Sequence, residues 1–98
     1  MYAVVWTYTV RPDRLDQFVE AYGPAGEWAQ LFMAAEGYLG TELLRSEERP
    51  EDFITIDRWE SRDAFVTFMG AAADAYQGLD ERCAGMCLTE TRLGAFSL

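Results

Sequence analysis

Apolar and polar positions along the chain predict four strands with helices between them. Residues 2 to 10 (YAVVWTYTV) are β-branched and aromatic throughout, a strand signature, and Pro12 ends the run because it cannot continue a ladder. Asp13 is placed to cap a helix over 14–22, where Leu15, Phe18, Val19 and Tyr22 recur at the spacing of one buried stripe. Gly23-Pro24 breaks that helix and starts another, with Trp28, Leu31, Phe32 and Ala35 on one face and Gly37 as its C-terminal cap. A second strand is expected over 38–45 (YLGTELLR) and a third over 53–59, joined by the polar turn SEERPED at 46–52. Ser61 fits the N-cap of a helix whose stripe is Phe65, Phe68, Met69, Ala72 and Tyr76. Gly78 is expected to interrupt it, a further turn or two covers 79–84, and a last strand runs over about 87–96.

The order β-α-α-β-β-α-β is a split βαβ arrangement with an extra helix in the first crossover. It predicts an α+β, ferredoxin-like domain over residues 1–98 with a four-stranded antiparallel sheet. Such a sheet, with helices on one face, should be polar on the other. Strand 1 instead sets Tyr2, Val4, Trp6 and Tyr8 against Ala3, Val5, Thr7 and Thr9, and strand 3 sets Phe53 and Trp59 against Ile54 and Ile56. Apolar groups on both faces call for a second sheet, and a homodimer formed through the sheet face is the simplest source of one.

Composition sharpens this picture. Half of the 98 residues are apolar and 14% aromatic, more than one small core hides, so a pocket, a partner subunit or both are expected. With 8 basic and 17 acidic residues the net charge is −9, a field that repels phosphate backbones and anionic membranes. Cys83 and Cys87, with no histidine in the chain, make neither a disulfide framework nor a complete zinc site. They read as reduced thiols of a cytoplasmic protein, in keeping with an N-terminus that has no basic flank or small-residue cleavage site.

The run TIDRWESRDAFVTF at 55–68, a strand ending in Trp-Glu-Ser followed at once by a helix with an aromatic four residues after the serine, resembles the antibiotic biosynthesis monooxygenase family. The stretch WAQLFMAAEGYLGTELL at 28–44 and the closing 90–96 segment fit the same family, so the likeness covers nearly the whole chain. The resemblance implies a dimeric α/β barrel with a pocket between each sheet and its helices. It also implies oxidation of aromatic phenols by molecular oxygen with no metal or flavin; a related branch degrades haem through an axial histidine, which this chain lacks. The family's strand tryptophan matches Trp59. Its strand asparagine is Thr55 here, and the helix tyrosine proposed to handle a substrate proton is Phe65.

Those departures matter because a phenol must lose its proton before it gives an electron to oxygen, and phenylalanine cannot accept one. The polar role then falls to Asp57, Tyr22, Tyr76 or the thiol of Cys83. Thr55 and Trp59, four apart, share a strand face, with Thr55 as hydrogen-bond partner and Trp59, Trp28 and Phe32 as the aromatic grip. Two functions follow. One is a cofactor-independent, metal-free oxygenase acting on an electron-rich phenol or quinol. The other is a non-catalytic dimeric module that binds a small aromatic or hydrophobic molecule or a protein partner.

Overall fold

The computed structural model describes residues 1–98. In chain order it runs through strand β1 (Tyr2–Val10), a 3-10 turn (Pro12–Arg14), helices α1 (Leu15–Tyr22) and α2 (Glu27–Phe32), and strands β2 (Tyr38–Arg45) and β3 (Asp52–Trp59). Helices α3 (Arg62–Ala71) and α4 (Ala73–Cys83) follow, and strand β4 (Cys87–Ser97) closes the chain. The sheet order is β2-β3-β1-β4 with every pair antiparallel, which is the ferredoxin-like arrangement expected. No helix is long and apolar enough to cross a membrane.

Register decides what the helices cover. Directly opposed residues of an antiparallel pair share a face. Tyr2 faces Trp59, Val4 faces Asp57, Trp6 faces Thr55 and Tyr8 faces Phe53, and all of these point toward the helices. Tyr8, Phe18, Tyr22 and Phe53 form one aromatic cluster, with Phe18 and Tyr22 stacked at 4.3 Å between ring centroids. Trp59, Phe32, Phe68, Tyr38 and Phe65 form a second around Trp59, which has no exposed surface. Trp28 joins the two, 6.0 Å from both Tyr22 and Phe32. The opposite sheet face carries Val5, Ile54 and Ile56, half-buried, with Leu44 and Phe96 exposed.

Local signals act as expected at some ends and not at others. Ser61 caps α3, accepting a hydrogen bond from the Ala64 N–H at 3.1 Å. Asp13 does not cap α1: it lies inside the 3-10 turn, and α1 starts at Leu15 with no side-chain cap. Val19, expected in the buried stripe, is exposed. Helix α2 ends at Phe32, so Gly37 is not its cap. Gly37 (φ +86°) instead turns the chain into β2, and a Cβ there would lie 2.8 Å from that of Ala64. The third and fourth helices part at Ala72, and Gly78 sits inside α4, where it is tolerated.

Because Trp59 supports the second cluster from all sides, Trp59→Ala should destabilise the fold by roughly 3–5 kcal/mol. Urea unfolding followed by far-UV circular dichroism measures this, and a loss below about 1 kcal/mol would contradict the packing described.

Candidate functional site

The sheet supplies the floor of a pocket where the two aromatic clusters meet. On β3, Asp57 sits opposite Thr41 of β2, and the Thr41 hydroxyl donates to Asp57 Oδ1 at 2.7 Å. Since that hydroxyl spends its proton on Asp57, the Tyr38 hydroxyl, 2.5 Å from Thr41 Oγ1, is the donor in the next link. The second oxygen of Asp57 accepts no hydrogen bond from the protein, and the carboxylate has no ion-pair partner. Two residues earlier on the same face, Thr55 is buried with its hydroxyl 2.9 Å from that of Tyr8.

The helices supply the walls. Tyr22 of α1, Trp28 and Phe32 of α2 and Tyr76 of α4 close over the strand residues Trp6 and Tyr8, with Trp28 and Tyr76 edge-to-face at 4.9 Å. Asp80 of α4 and Glu90 of β4, both exposed, complete the lining at its solvent side. The cavity holds about 130 Å³, close to the roughly 150 Å³ that accommodates a benzene ring.

Burial sets the protonation of these groups. It pushes the Asp57 carboxyl up to about 6, against the opposing effect of the Thr41 hydrogen bond. Burial raises Tyr8 and Tyr22 far above the usual phenol range and Tyr76 to about 12, so all three remain protonated donors at neutral pH. Glu90 is raised by partial burial and by the neighbouring Asp80. Burial also raises both thiols, Cys87 to about 12, which disfavours their thiolate forms. The indole nitrogen of Trp28 is buried without a hydrogen-bond partner, and so is that of Trp59. No group of His, Cys, Asp and Glu side chains could hold a metal ion.

The antibiotic biosynthesis monooxygenase family model matches residues 1–77. The chain belongs to that family. Among solved structures, SnoaB, a cofactor-independent oxygenase from Streptomyces nogalater, is similar with a TM-score of 0.69 at 19% identity, over 99% of this chain and 91% of that one. A candidate antibiotic biosynthesis monooxygenase from Bordetella bronchiseptica gives a TM-score of 0.74 at 23% identity, over 99% and 95%. A candidate haem-binding protein of Natronomonas pharaonis is 30% identical over 66 residues, 67% of this chain, which spans only 10% of that relative's length.

Within this family member the pocket brings together Thr55, Asp57, Trp28, Phe32, Tyr22 and Tyr76 of the residues singled out from the sequence. Trp59, Phe65 and Cys83 lie outside its lining. Trp59 backs Phe32 at 5.7 Å, Phe65 packs between Tyr2 and Trp59, and Cys83 is buried in the core. Sequence reasoning missed Trp6, Tyr8, Thr41, Asp80 and Glu90 as lining residues. The alternation of strand 1 already sets Trp6 and Tyr8 on one face. Thr41, Asp80 and Glu90 needed the register of β2 and β4 and the direction of α4.

The raised carboxyl of Asp57 has a consequence for stability. Between about pH 4 and 6 the folded chain keeps a proton that the unfolded chain has released, so stability from this group is lost as pH rises through about 6. Asp57→Asn lacks the effect. Its stability relative to the natural chain should therefore rise by on the order of 2 kcal/mol between about pH 4 and pH 8, as read by urea denaturation. A difference that stays flat across that range would contradict a desolvated, ionising Asp57.

Proposed function

We propose that this chain is an oxygenase that acts on a small phenol or quinol, with Asp57 as the base that takes the substrate's proton. The observation that carries this reading is a carboxylate poised near 6 inside a one-ring pocket, with one oxygen fixed by Thr41 and the other free to accept. An ordinary carboxylate lies some six units below a phenol of pKa about 10, and Asp57 narrows that gap to roughly four, making it a stronger general base. Trp28, Phe32, Tyr22 and Tyr76 hold the ring, and Thr55, steadied by Tyr8, offers a hydroxyl to the developing oxygen groups. Trp59, Phe65 and Cys83 act from behind, fixing the walls.

Once deprotonated, the ring gives electrons to oxygen, a carbon–oxygen bond forms, and the resulting peroxide loses water to leave a carbonyl. One oxygen atom stays in the quinone product and the other leaves as water, so the substrate supplies all the electrons and no cofactor is consumed. Family membership and the fold shared with SnoaB support this assignment. A haem ligand suits the chain poorly: the cavity holds about 130 Å³ and there is no histidine to bind the iron.

A second reading is a binding module without chemistry. Thr55 and Phe65, where the resemblance leads one to expect asparagine and tyrosine, favour it. Oxygen uptake with a panel of simple hydroquinones and naphthohydroquinones separates the two. The oxygenase reading expects uptake well above the spontaneous rate, unaffected by chelators and reduced about 100-fold or more in Asp57→Asn. Uptake no faster than in buffer would leave the binding module.

The whole chain, 1–98, then works as one unit in a homodimer formed through the open sheet face, where Val5, Ile54, Ile56, Leu44 and Phe96 provide apolar surface. Ile56→Glu puts a charge at the centre of that face. Sedimentation should find a dimer for the natural chain and a monomer for the variant, and a natural chain that sediments as a monomer at micromolar concentration would contradict the assembly.

A further inference from the structure

Proton removal by Asp57 gives no role to Asp80 and Glu90, yet both line the same cavity. None of the three carboxylates takes part in an ion pair; the salt bridges of the chain join Arg49 to Asp52, Arg58 to Glu42 and Arg82 to Glu27. No arginine lines the pocket, and the chain has no lysine. Arg92 on β4, opposite Trp6, is a cation beside the lining, and it acts on the Tyr76 hydroxyl against Asp80, Asp57 and Glu90. Three carboxylates thus line the cavity with no ion-pair partner in the protein. The carboxylates do not converge into a set that could hold a metal ion, so an organic cation suits this space better than a metal.

The walls favour the same kind of occupant. Indole and phenol faces attract cations through their quadrupole, and Trp6, Trp28, Tyr8, Tyr22 and Tyr76 all face one cavity of about 130 Å³. An anionic ligand would instead meet Asp80 and Glu90 together, and Glu90 is already held protonated to a higher pH than usual, by partial burial first and by Asp80 second. We propose that the pocket selects a small organic cation carrying a single aromatic ring, in chemical class a protonated arylalkylamine, with the ring between the aromatic walls and the ammonium toward Asp80 and Glu90 at the solvent side. This rests on the reading of the cavity as the ligand site and narrows the phenol class given above to amine-bearing phenols. It does not require that the bound molecule be oxidised.

The test compares three probes of similar size by calorimetry and tryptophan fluorescence on the natural chain: tyramine, its neutral analogue 4-ethylphenol, and the anion 3-(4-hydroxyphenyl)propionate. Tyramine should bind at least about tenfold more tightly than the neutral probe, with the anion weakest, and its advantage should shrink as salt is added. The double variant Asp80→Asn with Glu90→Gln, checked for an unchanged thermal transition, should lose that advantage while keeping its affinity for 4-ethylphenol. Equal or tighter binding of the neutral or anionic probe overturns the proposal. So does tyramine binding that the double variant leaves unchanged, or no binding of any probe. Tyramine binding with no oxygen uptake on the hydroquinone panel supports this inference while removing the oxygenase reading; hydroquinone oxidation with no preference for the cation does the reverse.

Discussion

A carboxylate held among aromatic rings with one hydroxyl to steady it is the constraint on which the site depends. Asp57 accepts from Thr41 alone, and no cation lies close enough to form an ion pair. Desolvation outweighs that single hydrogen bond, so the group stays a stronger base than a carboxylate in water. Had an arginine been set beside it, the same side chain would be a structural ion pair of low basicity. The fold tolerates the cost because the two aromatic clusters on either side, one around Phe18 and one around Trp59, contribute much more.

Strand geometry explains why the acid sits where it does. Phe53, Thr55, Asp57 and Trp59 alternate toward the helices, so β3 presents hydrophobe, hydroxyl, carboxylate and hydrophobe along one line. The flanking strands complete the line, with Tyr8 reaching Thr55 and Thr41 reaching Asp57. The ends of the row are sealed by the core, and the middle is left open beneath α2 and α4. A pocket of about 130 Å³ is what remains between the clusters.

Much of this architecture is legible in the residues alone, because strands with a period of two and a serine N-cap act locally. The positions of Asp57 and Thr55 follow from the same alternation. Depth does not: spacing puts Trp59 on the face of Thr55 but cannot tell that the tryptophan is sealed at the end of the row. The break between α3 and α4 falls in an alanine run with no local signal, whereas Gly78, the stronger signal, is carried within a helix. Asp80 and Glu90 come together only through the direction of α4 and the pairing of Glu90 with Tyr8, both set by tertiary packing.

The central claim concerns the basicity of one half-buried carboxyl group, and that can be measured on the protein alone. Titration of the Asp57 side-chain carboxyl carbon by NMR, assigned through the Asp57→Asn variant, reads it directly. The account predicts a midpoint at about 6. A midpoint near the ordinary value of about 4 would mean that water or an unseen partner stabilises the charge, and Asp57 would lose its role as the base.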